Sequence, residues 1–172
     1  MSNIDLIILG MIKQQSQSAY EIKKNIEYRN ISKWVRISEQ SIYKKVLQLE
    51  QKGYITSRKE KNGKMPDKAV YTVTEEGCNY FHQLMNEISK ADVNIFLDFN
   101  TIIVNLDLVD YEQKRILVQN IKTKILETKE LLNEKYLQRE HIPEIGKSIF
   151  RQQMDLIASL ENWITNFENN LL

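Results

Sequence analysis

Groups able to do covalent or acid–base chemistry are few in this chain. His82 and His141 are its only histidines, and each falls on a polar segment. Cys78 is the single cysteine and has no His, Asn or Asp in any recognisable catalytic spacing. One cysteine also excludes an intramolecular disulfide and a Cys-based zinc site, and it fits a reducing cytoplasm. Gly53 and Gly63 make no phosphate-cradling loop. The adjacent Glu75 and Glu76 suit the positive end of a helix better than an acid–base pair. No catalytic residue, metal ligand or cofactor is therefore assigned. Cations, by contrast, are concentrated. From Lys23 to Lys68 there are 13 Lys/Arg and 5 Asp/Glu, although the whole chain carries a formal charge of only +1. Residues 1–80 hold 14 basic and 9 acidic residues, and residues 81–172 hold 10 and 14. A basic front and an acidic rear orient a molecule toward a polyanion, and the chemistry implied is phosphate binding.

Those cations need elements to hold them. Ser38–Gly53 predicts a short helix, with Ser38 as its cap and Gly53 as its stop. Ile42, Val46 and Leu49 share one face, leaving Gln40, Ser41, Lys44 and Gln48 on the others. Amides, hydroxyls and amines on that front match base edges and phosphates of a major groove, as they also match an ordinary solvated helix face. Tyr54–Glu60 and Lys68–Thr74 read as strands joined by a long turn over Lys61–Asp67. The hairpin is basic at Arg58, Lys59, Lys61, Lys64 and Lys68. A polar-fronted helix followed at once by a basic hairpin is the order of a winged helix-turn-helix.

The remaining elements frame this pair. Asn3–Lys13 is apolar nearly all round, so its own domain covers one side and another segment or a second subunit covers the other. Ile4–Ile12 lacks the basic start and cleavage site of a signal peptide, and no run reaches the length of a membrane span. Ser18–Arg29 is a helix opened by the capping-box spacing Ser18–Glu21, with Ile22 and Ile26 inward and Lys23 and Lys24 exposed. Tyr20 in its first turn either reaches a phosphate or packs at the helix end. Trp34 is expected to plug the core between the two helices. Thr74–Lys90 is a further helix, and Asp92–Asp107, rich in β-branched and aromatic residues, is read as a helix for want of a partner strand. Asp110–His141 and Ile145–Leu171 are long helices. In the latter, Ile149, Leu156 and Trp163 recur every seventh residue, as do Phe150, Ile157, Ile164 and Leu171, with Leu160 and Phe167 widening the stripe. The two helices either satisfy each other within one chain or join an interchain bundle. The expected fold is mainly α with a small β-hairpin wing. Residues 1–90 form the winged-helix DNA-binding domain, and residues 91–172 form a helical dimerisation region.

Ser41-Ile42-Tyr43, Val46, Leu49-Glu50, Gly53 and Ile55 resemble the core of PadR-type transcriptional regulators. Gly63, Pro66, Lys68, Tyr71, Thr74 and Gly77 resemble that family's second block. Ala19-Tyr20-Glu21-Ile22 is similar to its Gly-Tyr-Glu-Ile element, with Ala for Gly; Leu47 and Val70 also depart from the usual residues. The resemblance covers roughly residues 4–80. It implies a homodimer joined through C-terminal helices, bound to a pseudo-palindromic double-stranded DNA operator. It implies repression, relieved by a small aromatic or cationic effector. DNA contacts are then expected from Ser38, Gln40, Ser41, Tyr43, Lys44 and Lys45 on the recognition helix. Tyr20 and Lys23 would contribute from the preceding helix, and Arg58, Lys61, Lys64 and Lys68 from the wing. Ile149, Leu156, Leu160, Trp163 and Phe167 are the candidates for dimer or effector contacts. Two other classes are weighed beside this one: a winged-helix adaptor that never touches DNA, for which a net +8 over Lys23–Lys68 has no use, and an enzyme, for which no constellation is found.

Overall fold

The first helix, α1 (Asn3–Gln14), forms because Ser2 accepts a hydrogen bond from the Asp5 N–H and an almost unbroken apolar run follows. The computed structural model describes residues 2–35, 37–62, 65–138 and 142–171, without the side chains of residues 39, 61, 62 and 65–67. Within it the chain divides into two compact units, Met1–Val93 and Asn94–Leu172.

In the first unit, α2 (Ala19–Tyr28) opens on a complete capping box: Ser18 and Glu21 each bond the other's backbone N–H. A 3-10 turn at Glu39–Ser41 leads into α3 (Ile42–Gln51), so the α-helix starts four residues after Ser38 and not directly upon it. Ser38 instead lends its carbonyl, which accepts from the N–H of Ser41 at 3.1 Å and from its Oγ at 2.7 Å. Gly53, with φ of +76°, ends α3 in the left-handed region where a side chain is unwelcome. The antiparallel strands β1 (Ile55–Asn62) and β2 (Met65–Val73) follow, with a register shift between Glu60 and Asn62. Pairing runs to Asn62 opposite Met65, so the connection is shorter than the seven-residue turn expected at Lys61–Asp67. Cross-strand hydrogen bonds extend further than turn-forming residue types suggest. Gln17 adds an isolated bridge to Tyr71, and its buried amide donates to the Met11 carbonyl and accepts from Asn25.

The unit closes with α4 (Glu75–Ser89), capped by Thr74 and packed on α1. Helix α1 also packs on α3 and β2, and Ile8 and Leu9 are fully buried. The second cover that α1 requires is therefore α4, a segment of the same chain. Trp34 does not plug the core. It stays 37% exposed while Ile31, at 5%, joins the core cluster of the first unit. Gly77 is required by close approach: a Cβ there would lie 1.9 Å from the Tyr54 carbonyl oxygen.

The stretch expected as one helix over Asp92–Asp107, which begins at the end of the first unit and continues in the second, is mostly irregular. It holds only the four-residue α5 (Asn100–Ile103) and a 3-10 turn at Leu106–Leu108. Val93, Ile95 and Phe96 are strongly exposed there. Without a sustained buried face, β-branched residues have nothing to offset their poor helix propensity. Two long helices follow, α6 (Tyr111–Leu137), capped by Asp110, and α7 (Glu144–Leu171). They pack together, with Val118, Ile121, Ile125, Ile157 and Ile164 buried. Lys122 pairs with Glu168 and Lys129 with Glu161, an order that fixes the two helices as antiparallel.

Candidate nucleic-acid interface

The division of α3 into two faces follows from its sequence. Ile42, Val46 and Leu49 are buried at 0–2% exposure, while Tyr43 is 46% exposed and Lys44 and Gln40 face solvent. Tyr20 projects from the first turn of α2 at 63% exposure. Ser38 is exposed, and Ser41, half-buried, donates its hydroxyl to the Ser38 carbonyl. On β1, Lys59 is exposed. The Lys61 side chain and all of Lys64 lie outside the described residues.

Four of the expected DNA-contacting cations are already engaged with carboxylates. Lys23 pairs with Glu27 one turn along α2 at 3.3 Å. Arg58 grips Glu60, two residues on in the same strand, through Nε at 3.0 Å and a terminal nitrogen at 2.7 Å. Lys68 of β2 donates to Glu21 of α2 at 2.8 Å. Lys45 of α3 lies 3.3 Å from the carboxylate of Asp5 in α1, whose side chain is only 5% exposed. The Lys68 hydrogen bond, then those from the Ser18 backbone and hydroxyl, hold the Glu21 carboxyl down to about 2. Tyr80 of α4 is pushed up, first by burial and then by the negative charge of Asp5. It stacks on Tyr54 with ring centroids 4.3 Å apart.

These carboxylates were not singled out as part of the site from the sequence. Glu21 was legible only as half of a capping box. Asp5 had a usable signal: a lone acid in an apolar helix needs a cation when buried.

In the second unit the two sevenfold rows of α7 fare differently. Ile157 and Ile164 are buried, whereas Leu156 is 41% exposed and Ile149 half-buried. Trp163 stacks between Phe99 and Phe167, at 5.5 and 5.4 Å between ring centroids. A groove of 460 Å³ opens beside this stack and is lined by Phe99, Ile102, Ile121 and Leu160 among others; neither Trp163 nor Phe167 reaches it. Among the described residues no three metal-ligating side chains come together, and no helix is long and apolar enough to cross a membrane.

Residues 8–83 match the model of the transcriptional regulator PadR-like family. The winged-helix unit is thus a PadR-like domain. The PadR-like fold extends past the matched residues. Bacillus subtilis PadR in complex with operator DNA is similar over 100% of this chain and 99% of its own, with a TM-score of 0.84 at 16% identity. The same regulator in complex with p-coumaric acid gives a TM-score of 0.78 at 15% identity, over 99% of this chain and 98% of that one. The PadR-like regulator BC1756 from Bacillus cereus gives 0.74 at 21% identity, over 98% of each chain. No curated protein matches the sequence. At such identities the likeness is one of fold. It joins the winged helix of α1–α4 and the long C-terminal helices in a PadR-like architecture.

Proposed function

We propose that the protein is a dimeric, sequence-specific DNA-binding repressor. In this reading α3 enters the major groove, the β1–β2 wing lies along the backbone, and two copies joined through residues 94–172 occupy the halves of a pseudo-palindromic site. The observation that carries it is the split of α3, with its apolar residues buried and Gln40, Tyr43 and Lys44 presented beside a basic hairpin. Exposed donors of this kind suit base edges and phosphates. A single small module has limited contact area, and a second linked copy makes the second contact effectively intramolecular. Large apolar side chains left on the second unit, Leu156 at 41%, Ile116 at 48% and Leu131 at 54% exposure, support a partner copy there.

Relief by a small aromatic effector belongs to the same proposal. It draws support from the p-coumaric acid complex of Bacillus subtilis PadR and from the apolar groove beside Phe99. An adaptor that binds only protein has no use for the cationic front.

The test is the mass in solution with and without random duplex fragments, followed by sequencing of the fragments retained. A dimer that enriches one inverted-repeat sequence is expected. A monomer that retains no duplex at low salt rejects the proposal. Gln40→Ala and Lys44→Ala are expected to change the enriched sequence, and unchanged profiles would remove α3 from the reading role.

A further inference from the structure

Formal charge overstates what this face offers to phosphate. Lys68 is not a loose surface cation. Its Nζ lies 2.8 Å from one oxygen of Glu21, and the other oxygen accepts from the Ser18 N–H at 2.8 Å and its Oγ at 2.7 Å. Glu21 is thereby fixed at the N-terminus of α2, where the helix dipole also favours its negative charge. The pair spans 47 residues of sequence and ties the middle of β2 to α2. Lys45 is held in a similar way. Its partner Asp5 is nearly buried in α1, so withdrawing the ammonium would leave a carboxylate in the core without its countercharge.

Resting on the DNA-binding reading above, we propose that Lys45 and Lys68 are positioning residues. Each fastens a DNA-reading element to the body of the first unit through a carboxylate, Lys45 fixing α3 on α1 and Lys68 fixing the wing on α2, and neither contributes a phosphate contact. The reason is electrostatic. Salt dependence counts counterions released by unpaired positive charge, about 0.9 per phosphate neutralised, and an intact Lys–carboxylate pair brings no net charge to the duplex. Phosphate contact then falls to cations such as Lys44 and Lys59, which are exposed and carry no ion pair among the described residues.

The experiment is a salt titration of the full-length protein with two probes: a duplex that the parent selects from random sequence, and a random duplex of equal length. Lys68→Met is expected to keep the parent's salt slope while lowering the selected-to-random affinity ratio about tenfold, one mismatch-sized loss. Lys68→Arg, whose guanidinium can still bind Glu21, restores the ratio. Glu21→Gln, which keeps a capping side chain and releases Lys68, steepens the slope by about one unit as a new phosphate contact forms. Asp5→Asn combined with Lys45→Met removes the second pair without burying a charge, and it too leaves the slope at the parent's value while lowering the ratio. A slope about one unit shallower in Lys68→Met, or in the double variant, overturns the proposal by making that lysine a phosphate contact. So does an unchanged ratio, or an unchanged slope in Glu21→Gln. A parent protein that binds neither duplex sinks the DNA-binding reading itself and this assignment with it.

Discussion

The two units solve the problem of burying apolar surface in different ways. In residues 1–93, Ile8, Leu9, Ile22, Ile26, Ile42 and Val46 are wholly excluded from solvent by four helices and a hairpin that pack together. In residues 94–172 only Val118 and Ile164 reach that state among the described residues, and Leu108, Ile116, Leu131, Leu137, Ile145 and Leu156 remain exposed. A hairpin of two helices offers each helix one neighbour, while the stripe on α7 is wide enough for two. The first unit is therefore complete as a single chain, and the second is half of a larger core in the dimer we propose.

The strongest way to break the comparison acts on the closed unit. Gly77→Ala would drive a Cβ into the Tyr54 carbonyl, 1.9 Å away, with the Val73 methyl only 2.9 Å off. A loss of about 3 kcal/mol, the upper part of the overpacking range, is expected in urea denaturation; a loss under half of that would mean the α4–β1 approach is looser than described.

Next come paired substitutions on α7. Ile164→Ala removes a fully buried side chain and is expected to cost about 2 kcal/mol, the lower end for such truncations because its neighbours are partly free to collapse. Leu156→Ala should leave the single chain within about 0.5 kcal/mol, as surface changes do, yet shift the mass in solution from dimer toward monomer. Equal effects of the two on both measurements would erase the distinction between the rows. A smaller change is expected from Ser18→Ala, about 1 kcal/mol for a lost cap, by thermal or urea unfolding.

Acid should weaken the first unit through Glu21. Its folded value of about 2 lies below the ordinary 4.5, so the stability it contributes is present above about pH 4.5 and drains away as pH falls toward 2. Solvent reaches this pair and softens the effect. Glu21→Gln should flatten that part of a stability–pH curve, and an unaltered curve would count against the ion pair. The smallest effect belongs to Glu27→Ala, which opens the surface pair with Lys23 and should cost about 0.3–0.5 kcal/mol.

What the sequence disclosed follows the same division. Period and punctuation sufficed where an element is finished by local partners: Ser18–Glu21, Thr74 and Gly53 lie at the ends where their chemistry puts them. The halves of α3 are readable because burial there follows the 3.6-residue repeat. Reading failed where a tertiary neighbour decided the outcome. Trp34 stays exposed while Ile31 joins the core, and the cover for α1 proved to be α4, which begins some 60 residues further on. Asp92–Asp107 had apolar residues but no face to bury them on. Lys45 and Lys68 read as free cations because their carboxylate partners, Asp5 and Glu21, come from elements whose packing no spacing rule reveals, whereas the i,i+4 pair Lys23–Glu27 and the same-strand pair Arg58–Glu60 lay within reach of spacing. The rows of α7 were visible as periodicity, but which row faces α6 was not.

The α6–α7 hairpin carries its own vernier. Lys122 and Lys129 sit seven residues apart on one arm, and Glu168 and Glu161 sit seven apart in the reverse sense on the other. Both pairs close at one alignment alone. Sliding one arm by a single turn opens both, and a slide of about 10 Å, seven residues at the helical rise, restores just one. Axial creep breaks both pairs at once, so the two charge rungs favour this one alignment of the arms.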